Sequence, residues 1–399
     1  MVVEQYRQML QAKSVIRELF TFATKRGEEI GYENVFDYSL GNPSVPVPDS
    51  FTKEMIRLYD IENPMKLHGY SPTLGIPSVL EAVAASLERR FSLPYTREHI
   101  FMTSGAASSL AHGIRAVSQA GDEILTFAPY FPEYGPYVNL TGAHLRVVPP
   151  ETKDFQIDFQ GLKGMITEKT AAILINSPNN PTGVVYTEET MKQLAQILEE
   201  QSQAVGHTIY LISDEPYREI VFGGKRIPCM SRYYKNTIMC YSFSKSLSLP
   251  GERIGYLAVH PECEDGTTII QMCGQISRGI GHNCPAASMQ LAVSKVLEET
   301  ADLSVYERNA EILYEELIRL GFTVVKPDGT FYLFPKALEE DANAFCEKAK
   351  KYDLVLVPGD SFGCKGYFRM AYCIETEKVQ RSLAALRQFV EEEYNKKEE

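Results

Sequence analysis

The apolar residues of this chain recur with two periods. Over residues 14–29, Val15, Ile16, Leu19, Phe20 and Phe22 stand among charged residues, and that spacing predicts an amphipathic helix ending near Gly31. Residues 77–91 and 107–119 carry the same helical pattern. Between and after them lie short segments that are apolar nearly throughout: 99–102, 123–127, 144–148, 171–175, 208–212 and 237–241. Strands that lack a polar face are covered on both sides, which predicts a mostly parallel sheet between two layers of helices, a three-layer α/β/α large domain.

The pattern changes beyond Cys284. A long helical stretch is predicted from Pro285 through Leu320, with Gly321 as its stop. Strand-like segments follow at 322–325, 330–334, 354–357 and 367–372, with helices near 342–352 and 377–394 and a polar tail, 395–399, expected to fray. Residues 35–40 read as a short strand running into a proline-rich loop over 41–48. These pieces predict a smaller α+β domain built from residues 1–48 and 286–399, with the large domain over 49–285.

A chain of 399 residues is long enough for two such domains, and 44% hydrophobic with 23% charged residues is ordinary globular composition. The net charge of −12 argues against nucleic acid and anionic membranes as partners. None of the 8 cysteines forms a C-x-x-C pair, and several sit in apolar runs, so reduced buried thiols are expected rather than disulfides or a metal site. Residues 1–23 lack an uninterrupted hydrophobic core with a cleavage site, and no membrane span is visible, which together predict a cytoplasmic protein.

Ligands of open parallel sheets gather at the carboxyl ends of strands, and four such ends are chemically unusual. After 99–102 come Gly105, Ala106 and Ala107, small residues opening a helix whose free N–H groups suit a phosphate. After 171–175 come Asn179 and Asn180 between Pro178 and Pro181, a rigid loop able to hold an amide toward a ligand. After 208–212 come Ser213 and Asp214, an acid that is costly to bury at the end of an apolar strand unless a cation answers it. After 237–241 comes Ser242-Phe243-Ser244-Lys245-Ser246, with Arg253 eight residues beyond the lysine. Taken alone, Lys245 would be a solvated lysine after a buried strand. Hydroxyls with a guanidinium suit a phosphate dianion, and a lysine beside another cation is more readily deprotonated to a nucleophile.

In this order the four sites resemble the class I/II branch of the aspartate-aminotransferase superfamily, pyridoxal-phosphate enzymes of fold type I, over residues 40–371. The resemblance implies that Lys245 forms the Schiff base with pyridoxal 5'-phosphate and then carries the proton between the substrate Cα and the cofactor. It implies that Asp214 pairs with the pyridinium nitrogen, and that Tyr217 and Asn180 bond the phenolic oxygen. Ser242, Ser244, Arg253 and the Gly105, Ala106 and Ala107 amides would hold the phosphate. Phe131 matches the residue stacked on the ring, with Tyr130 and Tyr134 as alternatives. Arg369 matches the clamp on the substrate α-carboxylate, Gly41 the glycine whose backbone approaches it, and Asn180 serves the substrate as well. Tyr70 resembles the tyrosine that reaches a neighbouring subunit's phosphate, which implies a homodimer.

The reaction implied is a ping-pong transfer of an amino group from an L-amino acid to a 2-oxo acid such as 2-oxoglutarate. Carbon–sulfur β-lyases share all these cofactor residues and form the alternative, and a non-catalytic cofactor-binding module is the alternative of another class. Arg278, five residues before Asn283, has the spacing of an arginine that binds the distal carboxylate of aspartate in similar enzymes. A solvated loop arginine is the competing reading.

Overall fold

The computed structural model describes residues 2–11 and 15–395. The polar tail over 396–399 and Ser14, at the start of the first predicted helix, lie outside them. The chain divides into two compact units. The larger comprises Val45–Asn180 and Val184–Leu303, and the smaller comprises the residues up to Ser44, Pro181–Gly183 and those from Ser304 onward.

Seven strands of the larger unit form one sheet in the order Ile100–Thr103, Gly255–Val259, Thr237–Ser242, Tyr210–Asp214, Thr170–Asn176, Glu123–Phe127 and His144–Val148. Gly255–Val259 runs antiparallel to both its neighbours, and the other pairings are parallel. Successive side chains go to opposite faces, as the pleat requires. On one face Ile124, Leu174, Ile238 and Leu257 pack with Leu110 and Ile114 of the helix Ala106–Val117 and with Ile269 and Ile270 of Gly266–Gly279. On the other face Leu125, Ile173 and Leu211 pack with Leu194 and Leu198 of Glu188–Val205. There too, Met239 and Tyr256 pack with Val83 and Leu87 of Pro77–Phe91. This is the three-layer arrangement expected from strands apolar on both sides.

The antiparallel strand is the one strand of this sheet that the hydrophobic pattern did not single out. It enters between two others at Gly255, whose partners in register are Thr103 and Ser242. A Cβ at Gly255 would lie 2.2 Å from the Tyr241 carbonyl oxygen and 2.9 Å from the Gly105 Cα, both backbone atoms. Gly255→Ala is therefore expected to lower unfolding stability by about 2–3 kcal/mol, read as a reduced urea midpoint.

The smaller unit is α+β. Tyr332–Leu333, Phe368–Ala371 and Val357–Pro358 form an antiparallel sheet with Phe368–Ala371 in the centre, and Phe36–Asp37 pairs in parallel with Leu354–Val355. The helices Val15–Ile30, Ser304–Arg319, Ala342–Ala349 and Thr376–Tyr394 belong to it.

Two expectations from the pattern are corrected. The helix expected from Pro285 through Leu320 is two helices, Ala287–Val293 and Ser304–Arg319, and the first belongs to the larger unit. Between them the Ala301 N–H bonds the Ser246 carbonyl at 2.8 Å, and Ser50 bonds the Glu299 carboxylate. These distant partners take the chain out of the helix although no glycine or proline marks the break. The strand expected at 322–325 does not form, and the Lys336 N–H to Thr323 carbonyl bond at 2.8 Å is the strand-like contact there. Seven of the cysteines are buried and Cys284 is half-buried, all as free thiols.

Candidate active site

Asn176, Asp214 and Ser242 end three adjacent strands of the large sheet, so the loops after them emerge side by side. Asp214 is buried, and its Oδ2 accepts a hydrogen bond from the Tyr134 hydroxyl at 2.6 Å. Its Oδ1 has no hydrogen-bond partner. Burial pushes the Asp214 carboxyl up to about 7, against the Tyr134 hydrogen bond that favours the anion, with neighbouring Glu215 adding to the rise. The strand end is braced by the Asn176 amide, which donates to the Asp214 carbonyl at 2.9 Å while its Oδ1 accepts from the Asn180 N–H at 2.6 Å. Asn180 and Tyr217 are both buried.

The Lys245 turn and the glycine turn meet through Arg253. Gly105 has φ +94 and precedes the helix Ala106–Val117. A Cβ there would lie 3.2 Å from Arg253 Nη2 and 3.4 Å from Ser242 Oγ. Arg253 Nη2 donates to the Ser104 carbonyl at 3.0 Å and Nη1 to the Pro250 carbonyl at 2.7 Å. The Ser242 hydroxyl lies 2.7 Å from that of Ser244 and caps the short helix Phe243–Ser246 by accepting the Ser244 N–H at 3.2 Å. Half-buried Lys245 sits within that helix. A helix N-terminus, two hydroxyls and a guanidinium thus lie close together, a donor set suited to a phosphate dianion.

Phe131 and Tyr130 are half-buried and flank Tyr134, Phe131 edge-on at 5.7 Å and Tyr130 stacked at 6.4 Å between centroids. Tyr134, one of the three aromatics the sequence offered for ring stacking, is held on Asp214 instead. It is a residue whose role the sequence did not disclose, because the partner lies 80 positions away.

Tyr70 is fully exposed. It lines a cavity of about 620 Å³ with His68, Ser71, Arg278, Asn283 and Cys284. Arg278 is exposed in the last turn of the helix Gly266–Gly279, not in a loop. Tyr70, expected to reach a neighbouring subunit, and Arg278, expected to bind a distal carboxylate, therefore share one cavity of the larger unit.

In the smaller unit Arg369 lies on the central strand, buried, with Nη2 donating to the Ser39 carbonyl. Its guanidinium carbon stands 4.6 Å from the Tyr332 ring centroid and 4.9 Å from that of Phe362. A Cβ at Gly41 would fall 2.0 Å from the Tyr332 hydroxyl, so a side chain there would displace Tyr332. Tyr332 thereby joins Arg369 and Gly41, a connection that no local spacing signals.

The family model described as aminotransferase class I and II matches residues 33–386. A solved aminotransferase from Eubacterium rectale is 44% identical, with a TM-score of 0.96 over 99% of this chain and 100% of that one. A probable aspartate/prephenate aminotransferase of Aquifex aeolicus is 31% identical across 90% of this chain and 92% of its own length. An aromatic-amino-acid aminotransferase of Thermococcus litoralis is 29% identical across 95% of this chain and 96% of its own. Among the described residues no helix is long and apolar enough to cross a membrane.

Proposed function

The chain belongs to the class I and II aminotransferases, and on that premise we propose that it moves the amino group of aspartate or a similar dicarboxylic amino acid to 2-oxoglutarate. It is an amino acid aminotransferase, and pyridoxal 5'-phosphate is its cofactor. The residues fit that group on two counts. Asp214 Oδ1 is buried without a partner, where a protonated ring nitrogen answers it. The space beside Gly105 is bounded by Arg253 and Ser242, where a phosphate answers the guanidinium.

Bound there, the cofactor supplies the sink for the electron pair left when the substrate Cα–H bond breaks. The roles proposed for the chain are those the family resemblance implies. Lys245 would hold the cofactor through its amine and would take and return the Cα proton. Asp214 keeps the ring nitrogen protonated, and Tyr134 holds the carboxylate in place for it. Tyr217 and Asn180 bond the phenolic oxygen, and Phe131 covers the ring face. Ser242, Ser244, Arg253 and the amides of Gly105, Ala106 and Ala107 carry the phosphate. Arg369 takes the substrate α-carboxylate by a bidentate contact, with the Gly41 backbone close by because no side chain intervenes.

The observation that carries the dicarboxylate reading is the shared cavity of Arg278 and Tyr70. Each residue is exposed on its own chain, so each is available to a second copy, and the reading includes a homodimer working in the cytoplasm. A guanidinium is what a distal carboxylate requires. Names of relatives support the same substrate, since the Aquifex aeolicus protein is named a probable aspartate/prephenate aminotransferase and the Thermotoga maritima protein an aspartate aminotransferase.

Steady-state rates with aspartate, alanine and phenylalanine, each with 2-oxoglutarate, test it. Arg278→Ala is expected to lower kcat/KM for aspartate about 100-fold, the loss of a charge-assisted pair, and to leave alanine within about threefold. Unchanged aspartate turnover in that variant would sink the dicarboxylate role.

A further inference from the structure

The motif around Lys245 contains a third serine, Ser246, to which the proposed roles assign nothing. The helix Phe243–Ser246 is a single turn, closed by the Leu247 N–H to Phe243 carbonyl bond at 3.1 Å. A lone turn has little stability of its own. The direction in which Lys245 leaves the backbone therefore depends on what grips the two ends of the turn.

Ser242 grips the front end through Ser244. At the back end the Ser246 carbonyl accepts the Ala301 N–H at 2.8 Å, and the Ser246 hydroxyl lies 3.0 Å from that of Tyr241. Tyr241 is buried, stacked on Tyr256 with centroids 4.9 Å apart, and donates to Glu219 Oε2 at 2.8 Å. Glu219 pairs with Arg90 at 2.5 Å, and both side chains are largely shielded. Arg90 and Arg218 stand 5.2 and 4.8 Å from the Phe91 ring centroid, and Arg218 pairs with Glu215, the residue after Asp214. Displacing either member of such a pair leaves a charge in a poorly solvating interior, so the pairs form a rigid anchor.

Resting on the reading of Lys245 as the cofactor lysine, we infer that Tyr241 and Ser246 are positioning residues, the last links of a chain from Arg90 through Glu219 that sets the angle of the Lys245 turn. The chain acts through the backbone of the turn. Its effect falls mainly on the lysine amine, because Ser246 ends the turn just after Lys245, whereas of the phosphate contacts only Ser244 lies in the turn, and Ser242 holds it from the front end.

Tyr241→Phe keeps the ring and its stack and removes the hydroxyl alone. Two quantities are read on the apoenzyme. One is the rate at which the visible absorption band returns on adding pyridoxal phosphate, which requires the lysine amine at the aldehyde. The other is the dissociation constant of pyridoxamine phosphate, which has no aldehyde and reports on phosphate and ring contacts. The expected result is a rate lowered about tenfold with pyridoxamine phosphate affinity within about twofold of the parent protein.

Ser246→Ala should give the same pair of results, and the double variant should be no slower than the slower single, because both break one chain. Three outcomes would overturn the inference: parent-like rates in both single variants, affinity falling in step with rate, or effects that multiply in the double variant. A parent protein that shows no visible band, or a Lys245→Ala protein that shows one, would instead overturn the reading of Lys245.

Discussion

Lys245→Ala is expected to lower kcat for every amino donor by about 10⁴-fold, the scale of a lost general acid–base group, and to abolish the visible absorption band of the holoenzyme. The amine has two functions in the proposed mechanism, attachment of the cofactor and movement of the Cα proton, and alanine can perform neither. The fold should survive. The turn carrying residue 245 is held by the Ser242 cap, the Ser246 carbonyl and the Ser246 hydroxyl, all of which the substitution leaves in place. A thermal midpoint within about 3 °C of the parent is therefore expected. A variant that kept the band, or kept turnover within tenfold, would remove Lys245 from the chemistry.

Asp214→Asn has the second large effect, and it acts in opposite directions on activity and stability. Loss of the carboxylate should lower kcat/KM about 10³-fold, since the ring nitrogen no longer has an anion to keep it protonated. The apoenzyme should respond otherwise. Folding raises the Asp214 pKa from its ordinary 3.8 to about 7 because burial disfavours the anion. Between those values the native protein holds a proton that the unfolded chain has lost, so the stability from this group is full below pH 4, falls as pH rises and is gone above 7.

Asparagine stays neutral throughout and keeps an oxygen for the Tyr134 hydroxyl. Apo Asp214→Asn should thus be more stable than the apo parent at pH 8 by about 1–2 kcal/mol, the remainder being offset by its buried amide hydrogens. At pH 4 the order should reverse or vanish. Urea unfolding of both apoproteins at the two pH values measures this, and a parent apoprotein whose stability is flat between pH 4 and 8 would contradict it. Saturating pyridoxal phosphate should stabilise the parent most at the higher pH, where the carboxylate lacks a counter-charge.

Much of the fold was legible because its signals are local. Residues 123–127 and 144–148 are apolar runs bounded by polar turns, and they form strands with those limits. The helix Pro77–Phe91 begins at a proline suited to a first turn and runs to Phe91, the span its apolar spacing predicts. What failed was also instructive. Residues 322–325 have the composition of a strand, but a strand also needs a ladder partner, and composition does not report partners. The break over 294–303 has no breaker residue and is made by Ser246 and Ser50, reached from far along the chain.

The candidate site divides in the same way. Which residues end each strand is a property of the sequence, so Asp214, Asn180, Lys245 and the glycine turn could be named from order and chemistry alone. A buried acid or a lysine after an apolar strand is conspicuous because it conflicts with its surroundings. Only the tertiary structure decided what each of them meets: Tyr134 on Asp214, Arg253 beside Gly105, Tyr332 between Gly41 and Arg369, and Arg90 and Glu219 behind the Lys245 turn. Each of those contacts joins residues remote in sequence, and distance and direction in space are set by strand order and helix packing, which hydrophobic periodicity does not encode.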